Sequence, residues 1–368
     1  MVLSYVILKA RREIRVAFLA LLFFFFSCSQ DRIKSNTLLK ERSIVFYIVA
    51  DNNLESSALS FYSEVEMLLH SDPLDSEYIV LYLDNKDESL LFVNEDGELR
   101  RKKSYGKINS LKTETMSSIL QEIDQLFPAT ERGLVFWSHG SGWLSAGNST
   151  RSFGDDSGES MEIRELSESI KNKYDYIVFD TCYMGCIEVA VELEDKCSYL
   201  LFSPSSVPLC GIMDSSAISR LAQKASLTTR LISICESFQG RSDKEKQNNP
   251  IAMLDMDKMK MLPQLIRLIE IDPLSVDLDS IPMYDFRGNY VFYDMRALFS
   301  KLGQNQILSI VDEMTMYPHI INNDEGFISI FIPSEKNVDY WHFYSNTKWN
   351  HITSWLNIWI DSSNGPNT

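Results

Sequence analysis

The stretch Tyr176–Gly185, which reads Y-I-V-F-D-T-C-Y-M-G, constrains the fold more than any other part of the chain. Its first five residues are apolar or β-prone and end in Asp180, and a new apolar-periodic run begins just after Gly185. This order predicts a buried strand, a tight turn and the start of a helix. Cys182 would then lie at the carboxyl end of a central strand, where α/β proteins bind their ligands.

A second stretch upstream, Gly133–Trp143, has the same design. A buried strand is predicted to end in His139, and a glycine-rich turn follows it. Two neighbouring strand ends that carry a histidine and a cysteine would form a nucleophile–base pair. The alternative is that both are ordinary buried residues, since an isolated cysteine is usually a small core side chain. Both residues follow the apolar runs rather than lying inside them, and this position favours a catalytic role.

Five segments resemble the clostripain-like cysteine peptidases, of the caspase–gingipain–separase group. The two central ones are S-H-G-S-G-W at 138–143 and D-T-C-Y-M-G at 180–185. The other three are I-V-F-Y-I-V-A-D-N-N-L at 44–54, F-G-D-D-S-G at 153–158 and Y-W-H-F-Y-S-N-T-K-W at 340–349. The resemblance implies a caspase-like α/β fold with a central, mostly parallel sheet, helices on both faces and a helix-rich C-terminal extension. The strand–helix rhythm of the sequence independently predicts a sheet covered on both faces.

The first 27 residues have the pattern of a lipoprotein signal peptide, with a basic start, an apolar run at 16–26 and a small residue before Cys28. We expect lipid attachment at Cys28 and a bacterial cell-envelope location, periplasmic or at the cell surface; an ordinary secretory signal is the alternative. Residues 28–43 are predicted to be a polar tether and 44–213 the catalytic core. Residues 214–361 would form the helix-rich part, and 362–368 a disordered tail.

Charge and cysteine usage exclude several classes of protein. The net charge of −16 argues against nucleic-acid binding. Six cysteines occur without compact disulfide or metal spacing, so mostly buried thiols and no zinc site are expected. No cofactor is required by the sequence. Calcium at Asp155 and Asp156 stays an open alternative that no EF-hand-like spacing supports.

Several local expectations follow from the residue patterns. Asn53 is expected to cap a helix over 54–69, residues 143–158 to form a loop, and a helix to run from 159 or 160 to 171. A strand is predicted over 326–332, with pairing to 320–321, and a helix over 339–360.

The resemblance also implies roles for single residues. Cys182 would attack a peptide carbonyl with His139 as its base, and backbone N–H groups of Gly140 and Cys182 would bind the oxyanion. Asp180 would meet a basic P1 side chain, with Ser205 and Ser206 in the second wall of that pocket. The alternative for Asp180 is a strand-end acid that hydrogen-bonds nearby backbone. No third catalytic residue can be assigned.

Two further expectations concern the whole molecule. Self-cleavage after Arg151, between the two motifs, would mature the enzyme, and an ordinary surface arginine is the alternative. The expected partners are proteins or peptides with a basic P1 residue, and a membrane through the N-terminal lipid. A silent surface lipoprotein that uses the fold only for binding is the competing function, although the presence of both His139 and Cys182 argues against it.

Overall fold

The computed structural model describes residues 39–144, 152–241, 249–284, 290–318 and 326–363. Cys28, the expected signal peptide and Arg151 lie outside the described residues. None of the helices within these ranges is both long and apolar enough to cross a membrane.

The fold is built on a nine-stranded mixed sheet, with two small two-stranded sheets beside it. The strands are β1 (Lys40–Val49), β2 (Glu77–Asp84), β3 (Ser89–Glu95), β4 (Glu98–Gly106), β5 (Ala129–Trp137), β6 (Phe153–Asp156), β7 (Glu159–Met161), β8 (Tyr174–Asp180), β9 (Cys197–Phe202), β10 (Ala252–Asp255), β11 (Tyr293–Asp294), β12 (Thr315–Tyr317) and β13 (Ser329–Ile330). The order in the main sheet is β12-β10-β9-β8-β5-β1-β2-β3-β4. Its five central strands, β9, β8, β5, β1 and β2, are parallel, and antiparallel strands complete both edges.

Helices connect and cover these strands. They are α1 (Glu55–Ser71), α2 (Thr113–Leu126), α3 (Ile163–Ser169), α4 (Ile187–Glu192), α5 (Ser215–Leu221), α6 (Leu227–Gly240), α7 (Met256–Met259), α8 (Met261–Ile266), α9 (Met295–Lys301), α10 (Asn305–Met314), α11 (Trp341–Tyr344), α12 (Lys348–Thr353) and α13 (Trp355–Ser363). Short 3-10 helices span Pro273–Ser275, Leu278–Ser280 and Glu335–Tyr340.

Both faces of the sheet are buried, as its parallel centre requires. Along β1, Val45, Tyr47 and Val49 belong to the core on one face. Ile44, Phe46 and Ile48 belong to the core on the other. The alternation of a strand thus distributes a continuous apolar run over two hydrophobic cores, which confirms the expected sheet with helices on both faces.

The hairpin after residue 151 corrects two local predictions. Residues 153–156 form β6 inside the expected loop, and residues 159–161 form β7 where a helix start was expected. Helix α3 begins only at Ile163, because a capping box between Glu162 and Glu165 fixes its first turn there. Sequence periodicity did not reveal such short strands, since they contain too few residues to define a period.

The strand and the helix predicted near the C-terminus are shorter or interrupted in the structure. The strand expected over 326–332 is only β13, and it pairs with β11; residues 320–321 lie outside the described part of the chain. The helix expected over 339–360 is broken at Ser354, which takes a left-handed conformation with φ of 56°. Strands β10 and β12 from this half of the chain extend the main sheet.

Candidate active site

The sheet register brings the histidine and cysteine motifs together. Strands β5 and β8 are adjacent and parallel, and Trp137 pairs with Asp180. His139 follows Trp137 by two residues, and Cys182 follows Asp180 by two residues, so both side chains leave the same edge of the sheet at the same level. This edge collects the carboxyl ends of the parallel strands, as expected for a ligand site.

Glycine at position 140 lets the two turns pack against each other. A Cβ atom placed on Gly140 would lie 2.6 Å from the carbonyl oxygen of Cys182 and 3.0 Å from Cβ of Thr181. Gly142 approaches Tyr183 in the same way, at 2.8 Å from its carbonyl oxygen. The glycine-rich turn is therefore required by close backbone contact across the two motifs.

The turn that carries the nucleophile candidate is sharp. Tyr183 has a φ of 60°, an uncommon conformation for a residue with a side chain. Its backbone N–H donates to Ser205 O at 2.9 Å, and the N–H of Gly185 donates to Ser203 O at 2.7 Å. The segment after β9 thus holds the turn after Cys182 in place.

The Cys182 thiol contacts the same segment. Its Sγ accepts a hydrogen bond from Val207 N at 3.3 Å and lies 3.9 Å from Val207 O. Burial raises the pKa of Cys182, while the N–H of Val207 acts in the opposite direction and the charge of Asp180 raises it further. In this arrangement Sγ of Cys182 is therefore hydrogen-bonded to Val207 rather than to His139.

His139 has a partner that the sequence patterns did not predict. Its Nε2 lies 2.7 Å from Oδ1 of Asn53. Asn53 was expected to cap α1, but the Asn52 side chain instead accepts the N–H of Leu54 at 2.7 Å, and α1 has no side-chain cap from Asn53. Burial lowers the pKa of His139, and the charge of Asp155 partly opposes that effect.

Asp180 is buried below the loop that follows β9. The N–H of Ile212 donates to its Oδ1 at 2.6 Å and the N–H of Met213 donates to its Oδ2 at 2.9 Å. Burial raises the pKa of Asp180 to about 6, although these two hydrogen bonds and Arg241 act to lower it. The backbone contacts foreseen as the alternative for Asp180 are thus present, and each carboxylate oxygen retains a further lone pair.

The two serines expected near the pocket lie on this loop. Ser205 is half-buried and its carbonyl accepts the N–H of Tyr183, while Ser206 is exposed. Gly211 packs on Asp180, since a Cβ there would lie 2.6 Å from Oδ2. Residues 205–213 therefore contact both Cys182 and Asp180.

The C-terminal half supports the helix that begins after Cys182. Glu188 of α4 is fully buried, and its Oε1 accepts the N–H of Phe331 and the hydroxyl of Tyr344, both at 3.0 Å. Trp349 and Trp355 are also fully buried. These aromatic residues pack in the core, and the bonds of Phe331 and Tyr344 to Glu188 hold α4, which begins directly after the Cys182 turn.

No group of three or more histidine, cysteine or acidic side chains that suits a metal ion occurs in the described ranges. Asp156 accepts the N–H of Ser110 at 2.7 Å, and Asp155 accepts the N–H of Gly158 at 2.8 Å. No disulfide joins the five cysteines of the described residues; Cys186, Cys197 and Cys235 are buried, and Cys210 is exposed.

Solved structures share this fold. One is a secreted C11 cysteine protease from Bacteroides thetaiotaomicron with an irreversible peptide inhibitor, at 22% identity and a TM-score of 0.73 over 86% of this chain and 99% of that chain. Another is an inactive zymogen C11 protease from Parabacteroides distasonis, at 22% identity and a TM-score of 0.72 over the same shares. No curated protein matches the chain.

The match to a family model decides the class. Residues 46–315, most of the chain, match the clostripain family, peptidase family C11. The chain belongs to the clostripain family. It is a cysteine peptidase with a caspase-like α/β fold, and peptides or proteins are its substrates.

Proposed function

We propose that this protein is an endopeptidase that cleaves after basic residues, with Cys182 as the nucleophile and His139 as its base. The observation that carries this proposal is the Trp137–Asp180 register, which puts His139 and Cys182 two residues beyond paired positions on adjacent strands. The close approach of Gly140 to the Cys182 carbonyl supports it, since it brings the two turns into contact.

In the proposed mechanism, His139 takes the proton of the thiol as Sγ attacks the scissile carbonyl carbon. The carbonyl oxygen becomes an oxyanion, and the backbone N–H groups of Gly140 and Cys182 stabilise it. The tetrahedral intermediate collapses as imidazolium gives its proton to the leaving amine. Water, deprotonated by His139, then hydrolyses the thioester and restores the thiol.

The resting pair is proposed to be neutral. Burial raises the pKa of Cys182 and lowers that of His139, so neither shift favours a thiolate–imidazolium pair. The thiol is directed as a donor toward Val207 O, at 3.9 Å, so it must turn from that oxygen to His139 before it transfers its proton. We therefore place proton transfer in the attack step, with substrate binding as the event that separates Sγ from Val207.

The basic P1 preference is assigned to Asp180. Asp180 is the last residue of β8, two residues before Cys182, and the loop of residues 205–213 covers its carboxylate. A carboxylate and a guanidinium form strong, charge-assisted hydrogen bonds. The cationic P1 side chain would also offset the cost of burying the Asp180 charge. Substrates with a basic P1 residue would therefore bind more tightly than neutral ones.

Lipid attachment at Cys28 and a bacterial cell-envelope location remain part of the proposal. They rest on the basic start, the apolar run and the small residue before Cys28 in the sequence. Attachment would keep the enzyme at a membrane while its catalytic part faces peptide substrates.

Self-cleavage after Arg151 is proposed as the maturation step. A structural relative is a zymogen, which makes maturation a reasonable expectation here. Ser152, the residue after the bond, is fully buried and its carbonyl accepts the N–H of Ser141 at 3.0 Å. The chain after the bond must therefore move before cleavage. N-terminal sequencing of incubated protein should find a new terminus at Ser152 in wild type, and none in Cys182→Ala or Arg151→Ala.

Peptide hydrolysis tests the function directly. Wild-type protein should cleave an arginine-containing peptide library, whereas Cys182→Ala and His139→Ala should be inactive although folded. Turnover retained by either purified variant would remove that residue from the mechanism. A folded wild-type protein that binds peptides without cleaving them would favour the silent surface lipoprotein.

A further inference from the structure

The side chain of Asn53 reaches the histidine from the end of another strand. Strand β1 ends at Val49, and the turn Asp51–Asn53 follows at the same edge of the sheet as His139. The acceptor in the contact is Oδ1 of Asn53, so Nε2 of His139 must carry the proton that joins them at 2.7 Å. In a neutral imidazole, Nδ1 is then the unprotonated nitrogen.

We infer that Asn53 is a positioning residue that holds His139 as its Nε2–H tautomer, so that Nδ1 receives the proton of the Cys182 thiol. This inference rests on the proposed function, and it names the tautomer that the function needs. Asn53 acts through the imidazole and not on the reacting atoms themselves.

The turn that carries Asn53 is held firmly. The side-chain nitrogen of Asn52, Nδ2, donates to Val49 O at 3.3 Å and to Asp155 O at 2.6 Å. The N–H of Ser157 donates to Asp51 O at 3.0 Å. Asn53 is exposed, but its neighbours in the turn fix the backbone from which its side chain extends.

The same hairpin also fixes the histidine. The N–H of Gly154, in β6, donates to His139 O at 3.0 Å, and Phe153 forms a bridge with Gly140. The hairpin β6–β7 therefore binds both the Asn53 turn and the His139 turn. The oxygen–imidazole contact is thus set by backbone on both sides, which is the support that a positioned catalytic group needs.

The contact should strengthen during the reaction. As Sγ gives its proton to Nδ1, His139 becomes an imidazolium and its Nε2–H becomes a charged donor. A hydrogen bond to a charged group contributes more than a neutral one. Only the gain over the neutral bond affects kcat, so loss of the Asn53 oxygen should lower kcat by about 10-fold, with little change in KM.

Three variants of the full chain test the assignment by kinetics. Asn53→Ala removes the acceptor and should show the full loss in kcat. Asn53→Asp keeps an acceptor, should restore part of kcat, and should move the acid limb of the kcat/KM profile to higher pH. The charge of Asp155 also raises the pKa of His139, but Asp155 is the same in all three variants, so it does not contribute to the difference between them. Asn85→Ala is the matched control, because Asn85 caps a turn after β2 through the N–H groups of Asp87 and Glu88.

Nitrogen NMR of histidine-labelled protein separates positioning from a structural effect. The chain has five histidines, so His139 can be assigned by comparison with a His139→Gln sample. Wild type and Asn53→Asp should show the Nε2–H tautomer, and Asn53→Ala should lose that preference. A wild-type kcat in Asn53→Ala, or a reduced kcat with an unchanged tautomer, would overturn the inference. Turnover by His139→Ala would instead contradict the proposed function itself.

Discussion

Replacement of Asp180 by asparagine should reduce the selectivity for a charged P1 residue. Burial raises the pKa of Asp180 from 3.8 to about 6, so the site disfavours the ionised carboxylate. An arginine side chain that pairs with this carboxylate offsets part of that effect. Loss of a buried charged contact typically costs about 2–5 kcal/mol, or roughly 30-fold to several thousandfold in kcat/KM.

The assay compares two peptides that differ only at P1, one with arginine and one with citrulline, its uncharged isostere. Asparagine leaves one N–H of the Ile212–Met213 pair without its acceptor, so Asp180→Asn should lose some stability as well. The ratio of kcat/KM for the two peptides cancels that loss. We expect a large arginine-to-citrulline ratio in wild type and a ratio near one in Asp180→Asn.

The pH dependence of the arginine-to-citrulline ratio provides a second test of the role of Asp180. Because the folded-state pKa is about 6, the free enzyme carries the Asp180 charge above that pH and loses it below. The arginine-to-citrulline ratio of wild type should therefore fall as the pH drops through 6, and that of Asp180→Asn should stay flat. Equal ratios in the two proteins at pH 8 would refute the assignment of Asp180 to the P1 pocket.

Gly140→Ala should lower kcat/KM by up to about 100-fold, because its Cβ would lie 2.6 Å from the Cys182 carbonyl oxygen. Gly240→Ala, whose added Cβ has no atom within 4 Å, should match wild type in the same peptide assay. Equal activities of the two variants would contradict the close packing of Gly140 against Cys182. Asp156 has a pKa raised to about 7, chiefly by burial, so ionisation destabilises the fold as the pH rises toward 7. Asp156→Asn should thus raise Tm more at pH 8 than at pH 5, and a larger gain at pH 5 would be inconsistent with that sign. Cys28→Ala should move the protein from the detergent phase to the aqueous phase, and aqueous partitioning of both proteins would indicate an unlipidated protein.

The position of the two motifs was predictable from the sequence because it depends on strand patterns. Apolar runs that end at Ser138 and Asp180 indicated buried strands, and glycine after each motif residue indicated turns. Adjacent parallel strands then put His139 and Cys182 at one edge, as the register of β5 and β8 confirms.

The contacts of the side chains were not predictable in the same way. Asn53 belongs to a turn whose composition fits a helix cap equally well, and only the packing of β1 beside β5 brings it to His139. The contact of Cys182 with Val207 depends on how the loop after β9 folds back. Both contacts join residues at least 25 positions apart, where local patterns carry no information.

The two short strands β6 and β7 were not predicted from the sequence for a related reason. Strands β6 and β7 have four and three residues, and their hairpin is fixed by backbone contacts to the His139 and Asp51 turns. Tertiary contacts therefore override the local preference for a loop and a helix. The F-G-D-D-S-G stretch resembles a family segment, but its hydrogen bonds to the His139 turn and the Asp51 turn are visible only in the structure.

Covalent labelling by a thiol-reactive peptidyl probe with arginine at P1 tests the central claim most directly. Mass spectrometry of digested wild-type protein should locate the probe on Cys182, and excess arginine peptide should suppress the label. The exposed thiol of Cys210 is the internal control, because a reagent that merely seeks accessible cysteines would modify it first. Labelling of Cys210 with Cys182 unmodified, or undiminished labelling of Cys182→Ala, would contradict the assignment of Cys182 as the nucleophile.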